Sequence, residues 1–155
     1  MKKIIIALLC IIMSAAVHAQ TADTALLTKN AAYTGADATK KHYKAIYQLD
    51  TNDPKLIEMA FHFMNNALDD PRLQGKLEIE LITFAAGTDI VLKGSKYEEE
   101  LKSLIQKGVI VAQCHNSMVQ RKITRDKVYD FVAVVPSANG ELIIRGSEGW
   151  VIVKP

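Results

Sequence analysis

Apolar and polar positions along the chain change period several times, and each change predicts an element. Residues 43–49 (YKAIYQL) read as a first strand, and Asp53-Pro54 supplies a helix N-cap followed by a proline suited to the first helical position. Leu56, Ala60, Phe63, Met64 and Ala67 then recur at three- and four-residue spacing, a helical stripe ending before Asp69-Asp70-Pro71 and read as core facing a sheet. Leu77 to Ala85 (LEIELITFA) alternates and then turns continuously apolar, as a strand buried on both faces at its end would, with Gly87 marking the turn off it. Ser95 and Glu98 match a capping box, followed by Tyr97, Leu101, Leu104 and Ile105 on one helical face and Glu99 and Lys102 on the other, as far as Gly108.

Val109 to Ala112 is a short continuous apolar run of the kind a central parallel strand shows, and Cys114 falls just past it. Ser117 and Gln120 form a second capping box, predicting a short helix soon after residues 114–116, and Phe131 to Val135 reads as the next strand. The last segment has two readings: Glu141–Ile144 and Trp150–Val153 pair as a hairpin, or the first belongs to a helix after Ser137. Pattern alone favours the hairpin. Under either choice strands and helices alternate with short links, which implies an α/β layered fold with a mostly parallel sheet and right-handed crossovers.

Upstream of the first strand the pattern is different. Residues 1–19 combine Lys2 and Lys3, an apolar run from Ile4 to Met13 and a Val17-His18-Ala19 cleavage pattern, the layout of a secretory signal. The run is shorter than the ~20 residues that cross a bilayer, so no membrane anchor is expected after cleavage. Cys10 lies inside the run and follows Leu9 where a lipid-attachment site needs a small residue, which argues against lipid anchoring. The expected destination is the periplasm or the exterior. Residues 20–41 are small and polar and read as a flexible lead-in, leaving one folded domain over residues 42–155.

Composition narrows the chemistry. The 155 residues are 49% hydrophobic and 23% charged, as in one ordinary globular domain. Without Lys2 and Lys3 the basic and acidic residues balance, which argues against nucleic acid as a partner. No phosphate-cradling glycine loop, nucleophile elbow or C-x-x-C is present, and His42, His62 and His115 lack metal-ligand spacing, so neither cofactor nor metal is expected. His42 and His62 read as surface or satisfied imidazoles.

Cleavage would leave Cys114 as the one cysteine, an unpaired thiol in a compartment where disulfides are usual. Its expected place is where a parallel strand's carboxyl end meets a helix's amino end, which is where open α/β sheets hold ligands. Unpaired helix N–H groups favour a thiolate there: a fall from about 8.5 to about 7 raises the thiolate fraction at neutral pH from ~3% to ~50%. The alternative is a buried cysteine acting as a small hydrophobe. His115 is a candidate acid–base partner if the chain turns at Cys114, since adjacent strand residues otherwise face opposite ways.

Three ordered segments carry a resemblance to a known family. They are Ile82-Thr83-Phe84-Ala85-Ala86-Gly87, the L-x-x-x-G-V-x-x-x-x-C-x-N-[ST]-[LM] stretch from Leu104 to Met118, and Val135-Pro136-Ser137 through Gly149-Trp150-Val151. In these the chain resembles the DsrE/DsrF-like proteins, specifically an exported branch. The resemblance implies a flavodoxin-like three-layer sandwich, about five strands in a single mostly parallel sheet flanked by helices. It also implies a helix from Ser137 to about Gly146, which displaces the hairpin, a homotrimeric or hexameric assembly and, in some members, a cysteine that carries sulfur as a persulfide.

Two functions from different classes follow. One is a sulfur carrier that works with a donor or acceptor protein: Cys114 is the nucleophile, backbone N–H groups near Asn116 and Ser117 stabilise the anion, and Gly87 permits close approach. The other is a non-catalytic oligomeric module that binds a small ligand, with Cys114 in a pocket beside Phe84, Ala86 and Met118.

Overall fold

The computed structural model describes residues 24–155, and the expected signal segment lies outside them. The chain divides after Asp37 into two units. In the first, residues 24–31 form a helix (α1) within the stretch read as a lead-in. The Thr28 hydroxyl donates to the Thr24 carbonyl there, a local contact that a search for apolar period does not register.

The second unit, from Ala38 onward, holds one five-stranded sheet. Its strands are β1 (Tyr43–Leu49), β2 (Leu77–Thr83), β3 (Ile110–Cys114), β4 (Ala133–Val135) and β5 (Val151–Val153), in the order β4-β3-β2-β1-β5 with every pair parallel. The helices are α2 (Pro54–Asp69), α3 (Glu98–Gln106), α4 (His115–Gln120) and α5 (Ala138–Ser147), with short 3-10 segments over Ala85–Val91 and Arg125–Lys127. This is the single parallel sheet flanked by helices that the alternation predicts.

Helix placement follows from strand order. Strands β1 to β4 step one way across the sheet, and the chain then returns to place β5 on the far side of β1. A constant crossover hand therefore puts the last helix on the opposite face from the earlier ones. Side-chain packing agrees: Ile57, Met64, Leu101 and Leu104 from α2 and α3 join Leu49, Ile79, Leu81 and Val111 in the larger core. On the other face Ala138 and Leu142 of α5 pack with Ile46, Ile82, Ala112, Cys114 and Trp150.

Several elements begin where their capping chemistry predicts. Asp53 caps α2 by accepting from the Lys55 N–H at 2.9 Å, with Pro54 next to it. Gly108 closes α3 at φ +91, a left-handed position that glycine adopts without strain, while Val109 N–H returns to the Leu104 carbonyl. Ser137 caps α5 by accepting from Gly140 N–H, so the C-terminal segment is helical and the hairpin suggested by pattern alone does not form.

Other expectations shift. The buried stripe of α2 is Ile57, Ala60, Phe61 and Met64, and Phe63 faces outward at 40% exposure, because the helix turns Ile57 and Phe61 toward the sheet in place of Leu56 and Phe63. Neither capping box closes. Glu98 pairs with Lys102 at 2.7 Å and α3 starts at Glu98, leaving Ser95 to accept from Tyr97 N–H upstream of the helix. Ser117 sits inside α4, which begins at His115, three residues before the box predicts. Strand β2 ends at Thr83, short of Ala85, because the backbone of Ala85 turns to φ +48. Strand β4 begins at Ala133, and Phe131 instead stacks on Tyr129 with ring centroids 4.9 Å apart.

Candidate functional site

Cys114 is the last residue of β3 and the N-cap of α4, so the chain does turn at this position. It lies in the second row from the sheet edge, paired in register with Val135 of β4. Directly after β4, the chain enters α5, and the N–H of its first residue, Ala138, donates to the Cys114 Sγ at 3.3 Å. Two helix amino ends thus converge on one sulfur. Each presents N–H groups that have no partner within its own helix, which favours negative charge on the sulfur.

The thiol is 4% exposed. Burial is the largest single influence on it and pushes its pKa up. The Ala138 N–H, the Ser117 hydroxyl and the N–H groups of Ser117 and Asn116 together outweigh burial and hold the pKa below the ordinary thiol value. The cysteine is therefore both nearly enclosed and predisposed to ionise, a combination that neither sequence alternative contains.

The surroundings of Cys114 are pinned from both sides. Beneath it in the strand, Gln113 is fully buried, donates to the Cys114 carbonyl at 2.8 Å and to Thr88 Oγ1 at 3.1 Å, and accepts from Thr83 Oγ1 at 2.7 Å. A buried amide with all these partners holds the end of β3 against β2 and the 3-10 segment, since breaking any of them would strand a polar group out of water. Above it, the Ser117 hydroxyl accepts from Ala85 N–H at 3.0 Å, and Arg121 donates to the Ala85 carbonyl at 2.9 Å while pairing with Asp89. Asn52 donates to the other oxygen of Asp89. These bonds retain Ala85 in a left-handed conformation that a residue with a Cβ adopts at some cost.

The sequence-predicted residues separate into groups. Phe84 packs half-buried against the Cys114 cluster, and the N–H groups of Asn116 and Ser117 lower the thiol's pKa. Ala86 is half-buried in the 3-10 segment. Gly87 does serve a close approach, but to backbone: a Cβ there would stand 2.1 Å from the Leu49 carbonyl oxygen. Met118 packs in the larger core, away from the Cys114 cluster, because one turn of α4 directs it there. His115 is exposed and has no hydrogen-bond partner among the described residues.

Sequence reasoning did not single out Gln113, Thr83, Thr88, Arg121 or Ala138. A signal existed for two of them: Thr83 follows Leu81-Ile82 and Gln113 follows the apolar run 109–112, polar residues in places where burial requires a partner. No group of three or more His, Cys, Asp or Glu side chains among the described residues is arranged to hold a metal ion.

The family model for DsrE/DsrF-like proteins matches residues 7–155. The chain belongs to the DsrE/DsrF-like family. No curated protein matches it. Among solved structures, a protein of unknown function from Methanobacterium thermoautotrophicum superposes with a TM-score of 0.69 at 23% identity, covering 73% of this chain and 99% of that one. A conserved protein of unknown function from Bacteroides thetaiotaomicron gives 0.60 at 14% identity, covering 78% of this chain and all of the other. Both support the DsrE-like fold, and at these identities they speak to fold alone.

Proposed function

We propose that this DsrE-like protein is an exported sulfur carrier that works through Cys114 alone. The observation that carries the reading is the Ala138 N–H on Sγ at 3.3 Å, added to the N–H groups of α4. A structural cysteine has no need of donors from two helix ends, whereas a thiolate nucleophile and the persulfide anion formed from it both do.

In the loading step the Cys114 thiolate attacks the outer sulfur of a donor persulfide, R–S–SH. The thiolate lone pair forms the new Sγ–S bond, the donor's S–S pair leaves with R–S⁻, and the proton stays on the transferred sulfur. An acceptor thiolate reverses the step, so no external oxidant or reductant is consumed. Export rests on the signal-like residues 1–19, and self-association into a trimer or hexamer is supported by Ile110, Ile143, Ile144 and Ile152, which leave apolar surface exposed. Among the described residues no helix is long and apolar enough to cross a membrane.

The low exposure of Cys114 and its apolar neighbours favour a second reading, a binding module in which the thiol only lines a pocket. Intact-mass analysis after incubation with polysulfide separates the two in a Cys10→Ser background. The carrier gains sulfur that dithiothreitol removes, and Cys114→Ser gains none. Sulfur on the Cys114→Ser protein, or none on the parent, returns the site to the binding-module reading.

A further inference from the structure

At the amino end of β1, at the opposite end of the parallel sheet from Cys114, lies a cavity of about 490 Å³. That volume falls within the range of small-molecule sites. Its floor is apolar: Ala67 of the last turn of α2, Leu73 of the following turn, Leu77 at the start of β2, and Ala45 and Val151 on neighbouring strands. Its rim carries Lys40, His42 and Lys44. The single lining carboxylate, Glu148, is drawn toward Arg145 at 3.7 Å, outside the lining.

Three hydrogen-bonding side chains of this cavity are idle. The Lys40 ammonium, the His42 ring and the Tyr47 hydroxyl have no partner among the described residues, although Tyr47 is only 6% exposed. Burial raises the Tyr47 pKa, so its hydroxyl stays a donor. The backbone that presents Lys40 is held in place, because its N–H donates to the Tyr43 hydroxyl at 3.0 Å. The Lys44 ammonium stands 5.5 Å over the Trp150 ring, on the face of the sheet opposite Ala45 and Tyr47, and leaves the ligand's head to Lys40. Donors without acceptors, an unpaired rim cation and an aliphatic floor together match a ligand that brings one negative head and an apolar tail.

We propose that this cavity binds an aliphatic monocarboxylate, its tail on the floor formed by Ala67, Leu73, Leu77 and Val151 and its head met by Lys40. The Tyr47 hydroxyl adds a neutral donor inside the site. Cys114 takes no part, so this site stands or falls separately from the sulfur-carrier reading.

Trp150 is the only tryptophan of the chain, and its neighbours Gly149 and Val151 line the cavity, so its fluorescence reports occupancy. The full chain is titrated with sodium decanoate, decanol, decylammonium and decyl phosphate below their aggregation limits. Decanoate should give a saturable change, and decanol and decylammonium should bind at least about tenfold more weakly, since charge-assisted bonds are the strong ones. Lys40→Glu, an exposed change, should weaken decanoate by a similar factor and leave the melting temperature of the free protein unchanged. Tyr47→Phe should weaken it less. Cys114→Ser should bind decanoate like the parent. Equal binding of the neutral, cationic and anionic chains, no saturable binding of decanoate, or full affinity in Lys40→Glu would overturn the proposal. Tighter binding of decyl phosphate than decanoate would overturn the carboxylate assignment in favour of a phosphate ester.

Discussion

On one face of the sheet α2 and α3 cover a continuous apolar core that runs from Tyr47 to Val132, while on the other α5 alone covers Ile46, Ile82, Ala112 and Cys114. The second face also buries Glu80, paired with Ile46 in register and 1% exposed, against Arg145 of α5 at 2.8 Å. The first face is a packing surface and contributes about 1.5–3 kcal/mol for each large aliphatic side chain it encloses. The second uses its one helix for polar tasks: the amino end faces the Cys114 sulfur, and the last turn neutralises a carboxylate. Cys114 sits on the face with less apolar packing, where its surroundings can be arranged without disturbing the main core.

The strongest way to break this contrast is Arg145→Met. It leaves Glu80 buried without its cation, and removing one partner of a buried pair costs about 3–5 kcal/mol. Burial already raises the Glu80 pKa, with Arg145 opposing it. A raised carboxyl contributes stability that is present below its unfolded pKa and is lost as pH rises through its folded one. The loss in Arg145→Met should therefore be largest near neutral pH and shrink toward about pH 4, the carboxylate range. Urea midpoints at several pH values check this, and a pH-independent loss would assign the effect to lost stacking on Trp150, which Arg145 covers at 4.3 Å.

Paired truncations test the two faces directly. Leu101→Ala in the larger core should cost about 2–5 kcal/mol, as buried leucines do when a cavity is left. Leu142→Ala, half-buried on the α5 face, should cost less than half as much by the same urea measurement. Equal losses would mean that both faces are packed alike.

Gln113→Ala probes the strut beneath the cysteine. It leaves Thr88 without its buried partner and Thr83 with the Ala112 carbonyl alone, a cost of about 1–3 kcal/mol, and frees the end of β3. The alkylation rate of Cys114 should change in this variant, whereas a purely structural role would lower stability and leave the rate as it was.

The smallest effect concerns stability and Cys114 itself. Its pKa is depressed, so the thiolate adds stability that is present above the ordinary thiol pKa and lost as pH falls through the lowered one. The stability gap between the parent and Cys114→Ser should widen as pH rises from neutral toward about 8.5. A constant gap would mean that the sulfur ionises as freely in the unfolded chain.

Much of this arrangement is legible in the chain. The first strand, the Asp53-Pro54 helix start, the Gly108 stop and the position of Cys114 at a strand end all follow from period and capping residues. What period cannot show is which face a helix covers. Glu78 and Glu80 both occupy polar positions of an alternating strand, yet Glu78 is exposed and Glu80 is enclosed, because α5 crosses over one and not the other. The site divides in the same way. Asn116 and Ser117 are near Cys114 in sequence and were within reach of local reasoning, whereas Ala138 arrives from 24 residues away and depends on β4 lying beside β3. The helix that brings it was ambiguous from pattern and legible only through resemblance.

The measurement that bears most directly on the central claim is the iodoacetamide alkylation rate of Cys114 across pH, in the folded Cys10→Ser protein. Donation from Ala138 and the start of α4 predicts a rate midpoint below that of a free thiol, with labelling in the folded state. A midpoint at or above about 8.5, or labelling only after unfolding, would contradict it.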